Sequence, residues 1–494
     1  MTSNYAETYA AWQNDPEGFW ADAAAAIDWF KPWEQVFAGG EGTYGRWYTG
    51  AECNTCYNAL DRHVANGRGD QLALIYESPI TGRTRKITYH ELLEEVEALA
   101  AVMLDNGVQK GDRILIYMPT VPEAVVAMLA SARIGAIHSV VFGGFAANEL
   151  ATRIDDAKPV MIIAASCGIE PSRVVPYQAM LDKAISLAHH KVDHCIIFQR
   201  EQHRHLPVEG RDIDYREAVD AARGRHVPCV PVAATDPLYV LYTSGTTGEP
   251  KGVVRDNGGH MVALVWSMKH VFDVKPGQVW WAASDVGWVV GHSYIVYAPL
   301  LIGATSILFE GKPVGTPDAG EYWRIIEEHG VEVMFTAPTR CVPSRRKMQT
   351  GISCAAMIFP DSVRFILQAN APTRTRSIGR KTCSAARSST IGGRPKAAGR
   401  WSPIRSASAF WKPNTARLPS ACRAMTFACW MMRATRSNPA RWAIFSSRCL
   451  CRPVACQHCG TPMSVSARPI STSFRAITKP PMRAIWMRTA ISTL

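Results

Sequence analysis

The sequence predicts an α/β protein, with mostly parallel sheets flanked by helices. Short apolar runs rich in β-branched residues recur through the first two thirds of the chain. Between them runs helical periodicity with its own start and stop signals. Residues 1–340 of the 494 also supply enough chain to bury a large core.

Taken in order, residues 1–62 are rich in Trp and Tyr and lack the alternation, so they read as a cap added to the core. Residues 71–76, 113–118, 161–165, 195–198 and 238–242 are expected as buried parallel strands. A helix lies between the first two. Thr88 caps it, Glu91 completes a capping box, Leu92, Val96, Leu99, Val102 and Met103 form its apolar stripe, and Gly107 ends it. The most apolar long window, 125–147, is interrupted by Arg133, His138 and paired glycines, which suits a buried helix running into a strand better than a membrane span. No membrane partner is expected. Asp15 and Glu17 occupy the place where a signal peptide needs an apolar core, so a cytoplasmic location is expected. No repeats are evident.

Charge divides the chain. Residues 1–340 hold 28 Lys and Arg against 41 Asp and Glu, whereas 341–494 hold 26 against a single acid, Asp361. The overall net charge of +12 therefore describes neither part. Five cysteines fall in the first part and nine in the second. Cys53 and Cys56 form a C-x-x-C, but no second Cys/His pair stands at zinc spacing, so no metal site is expected there and the thiols are expected reduced.

The chemically informative stretch is "YTSGTTGEPKG", leaving the strand expected at 238–242. Thr243, Ser244, Thr246 and Thr247 offer hydroxyls, Gly245, Gly248 and Gly252 let the backbone approach a ligand, and Lys251 brings a positive charge. That combination suits a polyphosphate cradle. It is not the Walker pattern, because Lys251 follows a proline and precedes a glycine instead of opening a helix with Ser or Thr. Composition alone would also suit a Ser/Thr/Gly linker; the preceding strand and the lysine's position argue against it.

This stretch resembles the nucleotide-phosphate signature of the acyl-adenylate-forming superfamily. With "NTCYNALDRHV" (54–64), "VVFGGFA" (140–146), "RIDDAKP" (153–159), "VVRDNGGH" (253–260) and "WWAASDVGWVVGHSYIVYAPL" (280–300), the chain resembles short-chain acyl-CoA synthetases, the propionate-activating ones most closely. The resemblance covers residues 1–339 and implies three regions: an N-terminal cap of acetyl-CoA-synthetase type at 1–62, an incomplete AMP-binding large domain at 63–339, and a tail at 340–494 without a domain. It also implies a two-step ligase in which a short carboxylate attacks Mg2+-bound ATP to give acyl-AMP, and coenzyme A then takes the acyl group. Thr243, Ser244, Gly245, Thr246, Thr247, Gly248 and Lys251 would bind the phosphates, with Lys251 neutralising charge. Trp288, Val289 and Val290 would wall the acyl pocket, although "GWVV" also suits a buried strand. Val290 stands where acetate-specific relatives usually carry threonine, which favours propionate. One methylene is worth only about 1–3 kcal/mol, so acetate is the alternative substrate. Arg173 aligns with a residue that meets CoA phosphate in relatives. Glu249 departs from the family, which often has a basic residue there.

The same resemblance explains the tail. If one base was lost after Thr339, the displaced frame over 340–344 permits A-L-R-A-I-K, over 367–372 A-G-E-R-A-D, over 389–399 D-H-W-W-Q-T-E-S-G-W and over 479–492 T-A-D-A-G-Y-M-D-E-D-G-Y-L-Y. All four are family patterns in family order. The tail is thus expected to be out of frame and disordered, the chain to lack the family's adenine pocket and C-terminal domain, and ligase activity to be little or none. Cys449, Cys451, Cys456, His458 and Cys459 then need no metal, and the arginine-rich composition needs no nucleic acid. The alternative of another class is a non-catalytic basic protein holding nucleic acid through its tail, which salt-sensitive retention would reveal.

Overall fold

A computed structural model describes residues 5–39, 45–243, 251–312, 316–318, 320–336, 364–367 and 444–446. The strands of its two large sheets are, in chain order, β1 (Leu72–Ser78), β2 (Arg83–Thr88), β3 (Arg113–Tyr117), β4 (Ile137–Val140), β5 (Met161–Ala165), β6 (His194–Phe198), β7 (Asp212–Asp214), β8 (Pro237–Thr243), β9 (Lys251–Asp256), β10 (Val279–Ala282), β11 (Thr305–Phe309), β12 (Val333–Thr336), β13 (Arg364–Leu367) and β14 (Ile444–Ser446). All five expected strands are present within two residues of their expected ends.

They do not share one sheet. One seven-stranded sheet has the order β7-β6-β5-β3-β4-β8-β9 and the other β14-β13-β12-β10-β11-β1-β2. Neighbours are parallel throughout the first sheet except at its β8-β9 edge. In the second, only the two outer pairs, β1-β2 and β13-β14, are antiparallel. Strands buried on both faces explain the near-continuous apolar runs: every residue of β5 and of β11 is buried.

The helix Tyr89–Asp105 follows its sequence signals. Thr88 Oγ1 accepts from the Glu91 amide while the Glu91 carboxylate accepts from the Thr88 amide, and Leu92, Val96, Leu99, Val102 and Met103 are buried. Gly107, at φ +82°, turns the chain away after it. The window expected as helix then strand is the wholly buried helix Pro122–Arg133 followed by β4.

A buried charge pair ties the sheets together. Arg200, just after β6, donates to both Glu310 oxygens at 2.7 and 2.9 Å, and Tyr76 and Ser78 of β1 donate to the same carboxylate. The cap contributes the helices Tyr5–Asn14 and Pro16–Ala24 and the hairpin Gln35–Ala38 with Arg46–Thr49, where Trp20, Trp29, Trp33, Trp47 and Tyr48 pack ring against ring. Among the described residues no helix is long and apolar enough to cross a membrane.

Part of the tail joins the core. The main chain of β13 extends the second sheet beside β12 and that of β14 pairs with β13, while the Arg364 guanidinium bonds Asp273 at 2.6 Å. The expected disorder of the rest, and the cysteine cluster at 449–459, lie outside the described residues.

Candidate active site

In a parallel sheet, ligands bind beyond the carboxyl ends of the strands. At that end of the first sheet, β8 and β9 form an antiparallel hairpin whose last pairing is Thr243 with Lys251. The register makes 244–250 the connecting segment. Ser244, Gly245, Thr246, Thr247, Gly248 and Glu249 lie outside the described residues, as does the side chain of Thr243. Lys251 opens β9 and is exposed.

Three stretches that are far apart in sequence meet beside this hairpin. The Tyr242 hydroxyl donates to the Asp156 carboxylate, and burial with that acid pushes its pKa up. The Arg153 guanidinium stands 5.5 Å from the Tyr242 ring centre and 4.8 Å from that of Phe145. Phe145 in turn lies 5.7 Å from Phe142, and Phe142 6.2 Å from Trp288. Glu149 holds Arg153 at 3.1 Å, so its guanidinium faces both rings from a fixed helix position. An unbroken run of side chains therefore leads from the hydroxyl-rich hairpin, through Arg153 and the 140–146 segment, to Trp288.

The "GWVV" segment is not a strand. Trp288 sits extended and 60% exposed, and a helix begins at Val289–Gly291. Val289 and Val290 are half-buried against the core. The turn is tight because a Cβ on Gly291 would fall 1.9 Å from the Asp285 carbonyl oxygen, so a side chain there would force the segment open. Asp285 caps the turn by accepting from the Gly287 amide at 2.8 Å, and His292 Nδ1 donates to the Trp288 carbonyl at 3.1 Å.

Arg173 is exposed on the hairpin Cys167–Glu170 with Arg173–Pro176, which follows β5 at the same end of the sheet, and its Nε donates to Glu170 at 2.9 Å. An exposed pair of this kind is worth about 0–1 kcal/mol, so Arg173 can change partner cheaply. A separate cavity of about 360 Å3, lined by Arg62, His63, Lys269 and Lys275, lies where the chain enters β10 and β11, away from this rim.

Sequence reasoning missed Phe142, Phe145, Arg153, Asp156 and Gly291 as site builders. Their motifs were visible, but no local period says that 140–146, 153–156 and 242 converge. Cys53 and Cys56 of the C-x-x-C are both free thiols, and Cys56 lies close to Asp61 and Cys229.

The model of the AMP-binding enzyme family matches residues 61–377. This chain belongs to that family. Its match runs past the composition break at 340 and takes in β13, while the acetyl-coenzyme A synthetase N-terminus model matches residues 5–59, the expected cap. Among relatives, the chain is 53% identical over 336 residues to the rat (Rattus norvegicus) acyl-CoA synthetase short-chain family member 3, mitochondrial, covering 68% of this chain and 49% of that protein. It is 46% identical over 336 residues to the propionate–CoA ligase of Salmonella typhimurium, covering 68% and 53%. The Escherichia coli propionate–CoA ligase gives the same 46% identity and the same coverage. This AMP-binding family member spans about half the length of the curated relatives it matches.

Proposed function

We propose that this chain carries the carboxylate-activating site of an ATP-dependent short-chain acyl-CoA ligase of the cytoplasm, with propionate preferred and acetate the alternative. A carboxylate oxygen attacks the α-phosphorus of ATP, the bond to the departing pyrophosphate breaks, and acyl-AMP forms. The CoA thiol then displaces AMP from the acyl carbon. Attack of one anion on another requires the phosphate charge to be neutralised by fixed donors and cations. The hydroxyls and amides of Thr243 to Gly248 and the ammonium of Lys251 serve that end, together with Mg2+ on the phosphate oxygens. Trp288, Val289 and Val290 bound the acyl group, and Arg173 meets CoA phosphate after leaving Glu170.

What supports this reading above all is the continuous contact run from Trp288 through Phe142, Phe145 and Arg153 to Tyr242, which joins the acyl segment to the hydroxyl-rich hairpin along one rim. The relatives named as propionate ligases favour the three-carbon acid.

We further propose that residues after 339 are translated from a displaced frame and that the chain as it stands forms little or no thioester. Curated relatives match over 336 residues, and the charge balance reverses after residue 340. Inserting one base after the Thr339 codon is expected to restore propionate-dependent exchange of pyrophosphate into ATP, with acetate slower; the present chain should show little. A restored protein that ignores short acids but activates long ones would overturn the reading. In the restored protein, Lys251→Ala should cut exchange about 100- to 1,000-fold, the usual range for losing one charge-stabilising group, with the circular dichroism spectrum unchanged. Unchanged exchange would return the hairpin to the linker reading.

A further inference from the structure

Away from the rim, Cys56 and Cys229 face each other across the boundary between the cap and the large domain. The two sulfurs and a carboxylate oxygen of Asp61 all lie within 4.8 Å of one another. Cys56 is fully buried and Cys229 half-buried, and both are free thiols. Their backbones are clamped close by. Asn54 Nδ2 donates to the carbonyls of Val230, Ala132 and Arg133, the Val230 amide donates to Arg133, and Arg133 Nε donates to Val227. Cys229 is thus pinned two residues before it and one after it, and Cys56 two residues after Asn54. The Cys229 thiol donates toward Asp61 at 3.6 Å, and Arg133 Nη1 donates to Cys56 Sγ at 3.7 Å.

We propose that Cys56 and Cys229 are a redox modification site, which a low-molecular-weight disulfide converts into an internal cross-link between the cap and the segment that leads into β8. Cys229, the solvent-reachable member, gives up its proton and attacks the reagent RSSR. One RSH leaves and a mixed disulfide remains on Cys229. The Cys56 thiol, which the Arg133 guanidinium faces, then gives up its proton as its sulfur attacks the Cys229 sulfur and expels the second RSH. Two electrons and two protons pass from the pair to the reagent. A hydrogen bond to Cys56, then burial, pushes the Cys229 thiol well up; exposure sets the order of the two steps, because Cys229 is the half-buried thiol and Cys56 the buried one. From a separation within 4.8 Å, closing the sulfurs to a bond of about 2.05 Å calls on rotation of the two side chains.

A metal would fit this cluster less well. Asp61 and Glu97 already neutralise Arg133, whose side chain is fully buried among them, and a thiophilic cation would have to share that space with the guanidinium.

The test is to equilibrate the full chain with oxidised glutathione and map its peptides without reduction. A single cross-linked peptide pair carrying Cys56 and Cys229, released by dithiothreitol, is expected. In Cys56→Ser a glutathione adduct should accumulate on Cys229, whereas Cys229→Ser should show neither cross-link nor adduct at Cys56; Cys53→Ser should keep the cross-link. If the buried Cys56→Ser fails to fold, the half-buried Cys229→Ser still decides. A stable adduct on Cys229 in the unsubstituted chain, a cross-link equally frequent in urea, or protection of both thiols by one equivalent of Zn2+ would each overturn the proposal.

Discussion

Arg133 shows how much one buried side chain can organise. Its guanidinium meets both Asp61 oxygens at 2.9 Å and Glu97 at 2.7 Å, so the cap, the helix Tyr89–Asp105 and the helix Pro122–Arg133 share one charge cluster. Removing one partner of such a cluster costs more than the pair contributes, because the other charges stay buried without compensation. Arg133→Met should therefore lower stability by about 3–5 kcal/mol, read as a fall in the urea midpoint, while the triple change with Asp61→Asn and Glu97→Gln should recover part of it. A loss under about 1 kcal/mol would mean that water reaches the cluster. In the sequence Arg133 was legible only as an interruption of an apolar window. Its partners stand 72 and 36 residues away, a separation that no helical or strand period reports.

Secondary-structure elements were legible where their signals are local. The capping box of Thr88 and Glu91 spans three residues, and both of its reciprocal bonds are formed. Thr88→Ala should cost about 1 kcal/mol, measured as a lower urea midpoint with an unchanged slope. Loss of slope as well would mean that the change reaches past the helix end. Strand β2 escaped notice because four of its six residues are exposed and charged or polar, as suits an edge strand with one solvated side. The "GWVV" segment carries strand-like residues, yet Gly291 lets it fold back on Asp285, and tertiary approach overrides propensity. The assignment of each strand to one of two sheets was likewise beyond local reading: β1 and β3 look alike in sequence, but β1 pairs with β11, more than 200 residues later.

At the scale of the whole molecule, buried titratable groups set the response to acid. His138 of β4, His260 of the helix Gly258–His270 and His292 gather around Tyr239 and Tyr297, with His138 Nε2 and the Tyr297 hydroxyl 3.0 Å apart. Burial lowers His260 to about 3 and His292 to about 4, and takes His138 well below its ordinary value. Burial, with Arg62 beside it, lowers His63 to about 4. Native pKa values below the unfolded value of 6.5 mean that, as pH falls through 6.5, the unfolded chain takes up protons that the native chain refuses. Each histidine then removes stability at about 1.4 kcal/mol per pH unit until its own native pKa is reached. Asp256 works in the opposite sense. Burial raises it to about 6 from 3.8, so the native carboxyl takes its proton first and stabilises the fold as pH falls across that window, by at most about 3 kcal/mol. Burial raises Glu123 in the same sense, but four histidines outweigh these two acids, and the urea midpoint should fall steadily from pH 6.5 to pH 4.5. Asp256→Asn, which removes one of the opposing acids, should raise the midpoint at pH 7 and steepen the decline below pH 6. A midpoint that stays flat to pH 5 in the unsubstituted chain would mean that these rings are hydrated and protonated in the native state, with water threading between the helix Gly258–His270 and β4.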